Sequence, residues 1–431
     1  MKIGFIGIGK LGLPVCIGIS AKGHDVLGYD INPKVNETAN ARDLLLSKEV
    51  TPDGKDDLKT SDMVKNSKCK FTNSLSKCIE HSEILFCAVQ TPHDKEYEGD
   101  MRMPDTRKDF NYDYLIASIK SISEETEKLN KETILVIIST VLPGTIRKYI
   151  FPVLSPKIKL CYNPYFIAMG TVLPDFYFPE FILLGVIDED AKNKIIDYYS
   201  TITTSPVYPT TLENAEMIKV TYNTFITAKI CLANTVMLMC DNLPNTNCDD
   251  IMKGLFLADK RIISKNYLTG GMGDGGGCHP RDNIALSWLS NQIGLDFNFY
   301  DFIMKCRESQ TEYFVTLIKK YKKNYDYPIY ILGKSFKPET DICTGSPAVL
   351  LKNIIDENKI DIKAHYDPYI DKEELALEKG IYCFATRHEV FADYKFPEGS
   401  IVIDPFRIFK NKDGIIYHGV GKNYYSGDYF K

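Results

Sequence analysis

Apolar residues along this chain fall into short runs separated by glycine and charged turns. The first run, Lys2 to Gly7, has the length of a buried strand. A glycine turn follows, then Leu13 to Ala21 with helix-like apolar content, and after Gly23 a second strand from His24 to Asp30. That order is a βαβ unit. Further strand candidates lie at Ile84 to Val89, Thr133 to Ser139, Ile158 to Cys161 and Phe181 to Val186, with helical stretches between several of them. The alternation predicts a mostly parallel, doubly wound sheet. From about Thr211 to Leu243 the character changes to a long run without glycine or internal proline, with apolar residues at helical spacing. A helix of that length suits a spine between domains and a dimer surface. Beyond it, a strand at Ile329 to Gly333, a helix through Ser346 to Asn358 and a strand at Ile362 to Tyr366 ending in Asp367 repeat the opening layout.

The expected architecture is therefore α/β, with two Rossmann-like doubly wound domains joined by a long central helix and a helical dimerisation region. The expected domains span 1–208, 209–322 and 323–431. The stretch from Asp94 to Asn111, charged and rich in turn formers, reads as a surface loop.

Composition narrows this picture without changing it. A chain of 431 residues exceeds one ordinary core, and 44% apolar with 25% charged residues is the balance of a folded soluble protein. No apolar run approaches the roughly 18 residues needed to cross a bilayer, and the first residues enter a strand instead of a leader, so a cytoplasmic location without membrane partners is expected. The twelve cysteines stand as singletons such as Cys16, Cys69, Cys87 and Cys231, with no CxxC pair and no histidine cluster at metal-ligand spacing. They read as reduced, mostly buried thiols, with no metal site. A net charge of -5 gives no field that would gather nucleic acid or acidic membrane. An anionic substrate would have to be held by local basic residues.

Three local patterns carry chemistry. Gly7, Gly9 and Gly12 spell GxGxxG between a strand and a helix, where residues without a Cβ let the backbone approach a pyrophosphate at the helix N-terminus. Asp30 closes the second strand, placed to accept hydrogen bonds from the ribose hydroxyls of NAD and to repel the extra phosphate of NADP. Gly270 to Asp282 reads GGMGDGGGCHPRD, a glycine-framed thiol followed by Pro280 and the basic Arg281. A cysteine attacks as its thiolate, which nearby positive charge favours, so Cys278 is the candidate nucleophile. Lys219 and Asn223, four residues apart on the long helix, share a face and could polarise a hydroxyl or stabilise an oxyanion.

Together these residues resemble the UDP-glucose/GDP-mannose dehydrogenase family over essentially the whole chain. The matching pieces are the Gly7 to Gly12 turn with Asp30, Val89-Gln90-Thr91-Pro92, Ser139-Thr140-Val141, Asn163-Pro164, Lys219 with Asn223, Gly276-Gly277-Cys278 with Asp282, and Gly333 through Asp341. The resemblance implies oxidation of the C6 alcohol of a nucleotide sugar to the carboxylate with two molecules of NAD, through a cysteine thiohemiacetal and thioester. It implies Cys278 as nucleophile, Lys219 stabilising the oxyanion, and Asp282 with Asn223 and Thr140 positioning water or acting as base. It places Thr91 and Thr140 on the cofactor, and Lys219, Asn223, Arg261, Tyr267, Gly275 and Lys337 on the substrate, with Arg261 offered to a neighbouring subunit of a homodimer. UDP-glucose, oxidised to UDP-glucuronate, is the implied substrate; GDP-mannose and a UDP-N-acetylhexosamine are the alternatives. A sugar-nucleotide-binding protein that has lost turnover is the reading from another class.

The chain departs from the family pattern at several positions. Tyr165 and Met169 stand where glutamates are usual, Gly277 replaces a serine, His279 an apolar or aromatic residue, Arg281 a lysine and Thr344 an arginine. Arg407 in Asp404-Pro405-Phe406-Arg407 comes one place late. With both glutamates gone, activation of water is expected to fall to Asp282.

Overall fold

The computed structural model describes residues 1–40, 49–50, 57–58, 67–259, 267, 269–292, 294 and 298–423. They form two compact units, one from residues 1–92 and 110–221, the other from residues 93–109 and 222–431. The expected segments 209–322 and 323–431 thus fall largely within one unit.

The first unit is built on an eight-stranded sheet: β1 (Lys2–Ile6), β2 (Asp25–Tyr29), β3 (Lys70–Thr72), β4 (Ile84–Cys87), β5 (Thr133–Ile137), β6 (Ile158–Tyr162), β7 (Ile182–Val186) and β8 (Val207–Thr210). The spatial order is β3-β2-β1-β4-β5-β6-β7-β8, parallel except between β6 and β7. Strands β4 and β5 are buried at every residue, as near-continuous apolar runs covered on both faces must be. Helix Gly12–Ala21 follows β1; nine of its ten residues are buried, and its Pro14 sits in the first turn, where no intrahelical N–H is lost. The chain order reverses between β1 and β4. Ligands of such sheets bind beyond the carboxyl ends of the strands at that reversal.

The second unit holds a five-stranded, all-parallel sheet: β9 (Ile329–Leu332), β10 (Ala364–Tyr366), β11 (Ile381–Phe384), β12 (Ile401–Asp404) and β13 (Ile416–Gly419), in the order β10-β9-β11-β12-β13. Helix Pro347–Glu357, capped by the Ser346 hydroxyl, connects β9 to β10. Both sheets are doubly wound.

The long helix spans Leu212–Asn242. By length and composition it could cross a bilayer, although no uninterrupted apolar run within it reaches that length. About half (53%) of its most apolar stretch is buried within the protein, and Glu216, Lys219, Asn223, Thr227 and Asn234 are buried along it. Buried polar groups at helical spacing mark a core helix.

The segment after β4 corrects an expectation. Asp94 to Asn111 is no plain surface loop: Lys95–Tyr97 forms a short 3-10 turn, and Tyr97 packs with Ile284, Met304 and Met103. Both of its arginines are paired, Arg107 with Asp301 at 2.5 Å and Arg102 with Glu312 and Glu357 at 2.5 and 2.6 Å. Charge density along a sequence does not tell solvated from paired.

Candidate functional site

In the first unit the glycine turn leaves β1 with Gly7 at φ 87°, its N–H donating to the Tyr29 carbonyl at 2.9 Å. A Cβ at Gly7 would come within 2.8 Å of the Ala88 carbonyl oxygen, and one at Gly12 within 2.0 Å of the Gly7 oxygen, so both are needed for backbone packing. A Cβ at Gly9 would meet nothing within 4 Å. Gly9 opens onto a cavity of about 450 Å³ lined also by Gly7, Tyr29, Asp30, Val89 and Gln90. Asp30 accepts from the backbone N–H of Ile8 at 3.2 Å and of Asn32 at 2.9 Å, which aims the carboxylate and leaves lone pairs for a ribose. The cradle fits a dinucleotide. NAD is therefore expected to be preferred over NADP by on the order of a hundredfold in kcat/KM, equivalent to ~2.8 kcal/mol at about 1.4 kcal/mol per decade. Steady-state kinetics with both cofactors check this; equal efficiencies would remove Asp30 from cofactor choice.

The loops after β4 and β5 are locked together. The Thr91 hydroxyl donates to the Thr140 carbonyl at 2.8 Å, and Ser139 donates to the Val89 carbonyl. The Lys219 ammonium, buried, lies 5.0 Å from the centre of the Phe166 ring. Tyr165 and Met169 pack against the apolar core of this unit. Burial pushes the Tyr165 phenol well above its ordinary range, which leaves it unfit as a base near neutral pH. Neither residue stands in for a glutamate.

In the second unit Cys278 is exposed, immediately before helix His279–Gln292. Cys278 therefore occupies the position that opens a helix. The Cys278 carbonyl accepts from the Asp282 N–H at 2.8 Å, one turn on. Asp282 is fully buried; Asn223 Nδ2 donates to it at 2.5 Å and Arg281 at 3.1 Å. The predicted Asn223 and Asp282 thus meet directly. His93 is buried in the same unit; burial, helped by the Arg281 charge, pushes its pKa down to about 4, so its imidazole is neutral near pH 7.

Two groups that sequence reasoning missed support the thiol segment. Asp274 accepts from Thr227 at 3.0 Å, one turn beyond Asn223. Its partner Arg307 is 1% exposed, lies 3.3 Å from the Asp274 carboxylate, and donates to the carbonyls of Asp274, Gly99 and Gly345 at 3.1, 2.8 and 3.0 Å. One guanidinium ties three loops together. In sequence Arg307 is a basic residue on an amphipathic helix, with no signal to separate it from a solvated one. Arg307→Ala strands a buried carboxylate and three carbonyls, so a loss of about 3–5 kcal/mol in unfolding free energy is expected. Denaturant titration checks it, and a loss below about 1 kcal/mol would show that the cluster rearranges at little cost.

The other substrate-side predictions fare unevenly. Gly275 has a packing reason to lack a side chain, since a Cβ there would meet Pro347 at 2.7 Å and the Gly345 oxygen at 3.0 Å. Tyr267 is exposed with φ 61°, and Lys337 is half-buried with its ammonium 5.8 Å from the Phe336 ring. Arg261 lies outside the described residues. The displaced Arg407 is turned inward, paired with Asp249 at 2.8 Å and donating to the carbonyls of Gly270 and Val420. Lys219 and Thr140 belong to the first unit, and Asn223, Cys278 and Asp282 to the second.

Residues 1–203 match the NAD binding domain, and residues 213–309 the central domain, of the UDP-glucose/GDP-mannose dehydrogenase family. The chain belongs to that family of NAD-dependent nucleotide sugar dehydrogenases, and NAD is its cofactor. It is 28% identical over 456 residues to UDP-glucose 6-dehydrogenase of Rickettsia conorii, covering 98% of this chain and 99% of that protein. Among solved structures it is similar to a UDP-glucose dehydrogenase from the archaeon Pyrobaculum islandicum, with TM-score 0.82, 22% identity and 97% of each chain covered. A UDP-D-ManNAc dehydrogenase from Pyrococcus horikoshii gives TM-score 0.80 at 24% identity, with 99% of this chain and 100% of that one covered.

Proposed function

We propose that this protein oxidises the C6 primary alcohol of UDP-glucose to the carboxylate of UDP-glucuronate, in two successive oxidations. The observation that carries the chemistry is the Cys278 turn: an exposed thiol at a helix N-terminus, one turn from a buried carboxylate held by Asn223. NAD, when bound, accepts a hydride in each oxidation. The Lys219 ammonium stabilises the sugar oxygen as negative charge develops on it. Sulfur of Cys278 then adds to the aldehyde carbon, forming a C–S bond while the carbonyl electron pair moves to oxygen. Oxidation of that thiohemiacetal leaves a thioester. Asp282, in place of the glutamates replaced by Tyr165 and Met169, draws the proton from the attacking water, and the C–S bond breaks to return the thiol.

The run Gly276-Gly277-Cys278-His279-Pro280-Arg281-Asp282 and the near full-length Rickettsia relative support UDP-glucose over other sugars. Met217, Phe225, Leu232 and Met239, exposed at seven- to eight-residue spacing on the long helix, support a homodimer. The free cysteines support a reducing, cytoplasmic location. Initial rates with a panel of nucleotide sugars test the substrate. UDP-glucose should exceed GDP-mannose and UDP-N-acetylhexosamines by at least about tenfold in kcat/KM, a modest margin for substrates that differ at the base or at C2 of the sugar. A reversed ranking reassigns the substrate.

A further inference from the structure

Glu216 is fully buried on the long helix, one turn before Lys219 and two before Asn223. Its two carboxylate oxygens accept from the backbone N–H groups of Gly144 at 2.6 Å and Ile146 at 2.9 Å, at the end of the loop that carries Thr140. Gly144 has a φ of 87°, a backbone conformation that favours glycine. The same loop is tied at its other end by Ser139 to Val89 and by the Thr91 hydroxyl to the Thr140 carbonyl. A buried carboxylate is costly, and two backbone donors at bonding distance are what make it tolerable.

We propose that Glu216 is a positioning residue: its carboxylate fixes the Ser139–Gly144 loop, and with it Thr140, against the turn of the long helix that carries Lys219. The bearing on catalysis rests on the dehydrogenase reading above; the bearing on loop order does not. Because both oxygens accept, the anchor is complete only when Glu216 is ionised. A protonated or amidated side chain turns a donor toward one of the two N–H groups. Burial raises the pKa of Glu216 to about 7, against the two backbone donors. The charged groups facing it are Glu213 on its own helix and Arg147 on the adjoining turn, which pair with each other at 2.5 Å. The Lys219 ammonium is turned to Phe166, the Lys148 ammonium to Tyr149, and the Tyr112 hydroxyl binds Leu142 and Thr145 in the same loop. The folded protein holds the Glu216 proton to higher pH than the unfolded chain does. Its contribution to stability is thus present below the ordinary glutamate range and lost as pH rises through about 7, while the loop anchor gains.

The test compares wild type with Glu216→Gln and Glu216→Asp between pH 6 and pH 8.5. Hydrogen-exchange protection across residues 139–146 is followed in the unliganded protein, alongside kcat and the KM for NAD. Protection at Gly144 and Ile146 should be lower by about tenfold in Glu216→Gln at pH 8, the consequence of one lost backbone bond. In wild type that protection should fall on acidification through pH 7, and in Glu216→Gln it should not change. At pH 8 the kcat of Glu216→Gln should be down by about tenfold, with the KM for NAD moved less than threefold, and the gap should narrow toward pH 6. Glu216→Asp, with a shorter but ionisable arm, should recover part of the loss. A kcat ratio and a protection ratio that stay constant across this pH range would overturn the proposal. If wild type oxidises no nucleotide sugar, the functional reading fails, and exchange protection alone still decides whether Glu216 anchors the loop. Should Glu216→Gln not fold, the pH dependence of protection in wild type decides it in the same way.

Discussion

Cys278→Ser is expected to lower net conversion of the sugar to its uronate by at least about a thousandfold while leaving NAD affinity unchanged. A serine hydroxyl at neutral pH is a far weaker nucleophile than a thiol, and none of the described contacts provides a base to activate it. The glycine turn lies in the other compact unit, so deleting one exposed sulfur leaves it intact. Fluorescence titration with NAD and product analysis by mass spectrometry separate the two effects. Wild-type conversion by the serine variant would remove Cys278 from the mechanism, and loss of NAD binding would point to a folding defect instead.

Asp282→Asn is the second large effect. Tyr165 is half-buried against Phe176 and Tyr199, and Met169 cannot take a proton, so hydrolysis of the thioester falls to the carboxylate that Asn223 and Arg281 hold. The amide variant should form NADH in a first turnover and then stall, with steady-state kcat reduced by about a hundred- to ten-thousandfold. A covalent adduct on Cys278, heavier than the free protein by the acyl sugar nucleotide, should accumulate after mixing with NAD and UDP-glucose. The substitution also places an amide against two donors, at a cost of about 1–3 kcal/mol, which thermal unfolding will register. Rapid multiple turnover without an adduct would mean that another group activates the water.

What the sequence disclosed and what it withheld divide along physical lines. The glycine turn with Asp30, the glycine-framed Cys278 and the four-residue spacing of Lys219 and Asn223 are local patterns, legible without knowledge of distant partners. Strand ends were read one or two residues long, as at Ile84–Cys87 and Thr133–Ile137, because the chain leaves the sheet at Ala88 and Ile138 while still apolar. Arg307 with Asp274, and the paired charges of residues 94–109, were hidden for a different reason. Their partners lie tens to hundreds of residues away, and a buried guanidinium looks in sequence like an exposed one. Glu216 lay within reach: its spacing from Lys219 and Asn223 puts it on their side of the helix, so a count along that face finds it. Tyr165 and Met169 could be seen to be missing glutamates, but only packing shows that they face the core.

The central claim, oxidation in two steps at one cysteine, is tested most directly by counting NADH formed for each molecule of UDP-glucose consumed by the wild-type protein. The account predicts two, with no free aldehyde and with UDP-glucuronate as the product. One NADH per sugar would make it a two-electron alcohol dehydrogenase, and none, with UDP-glucose still bound, would make it a binding protein; either result contradicts the account.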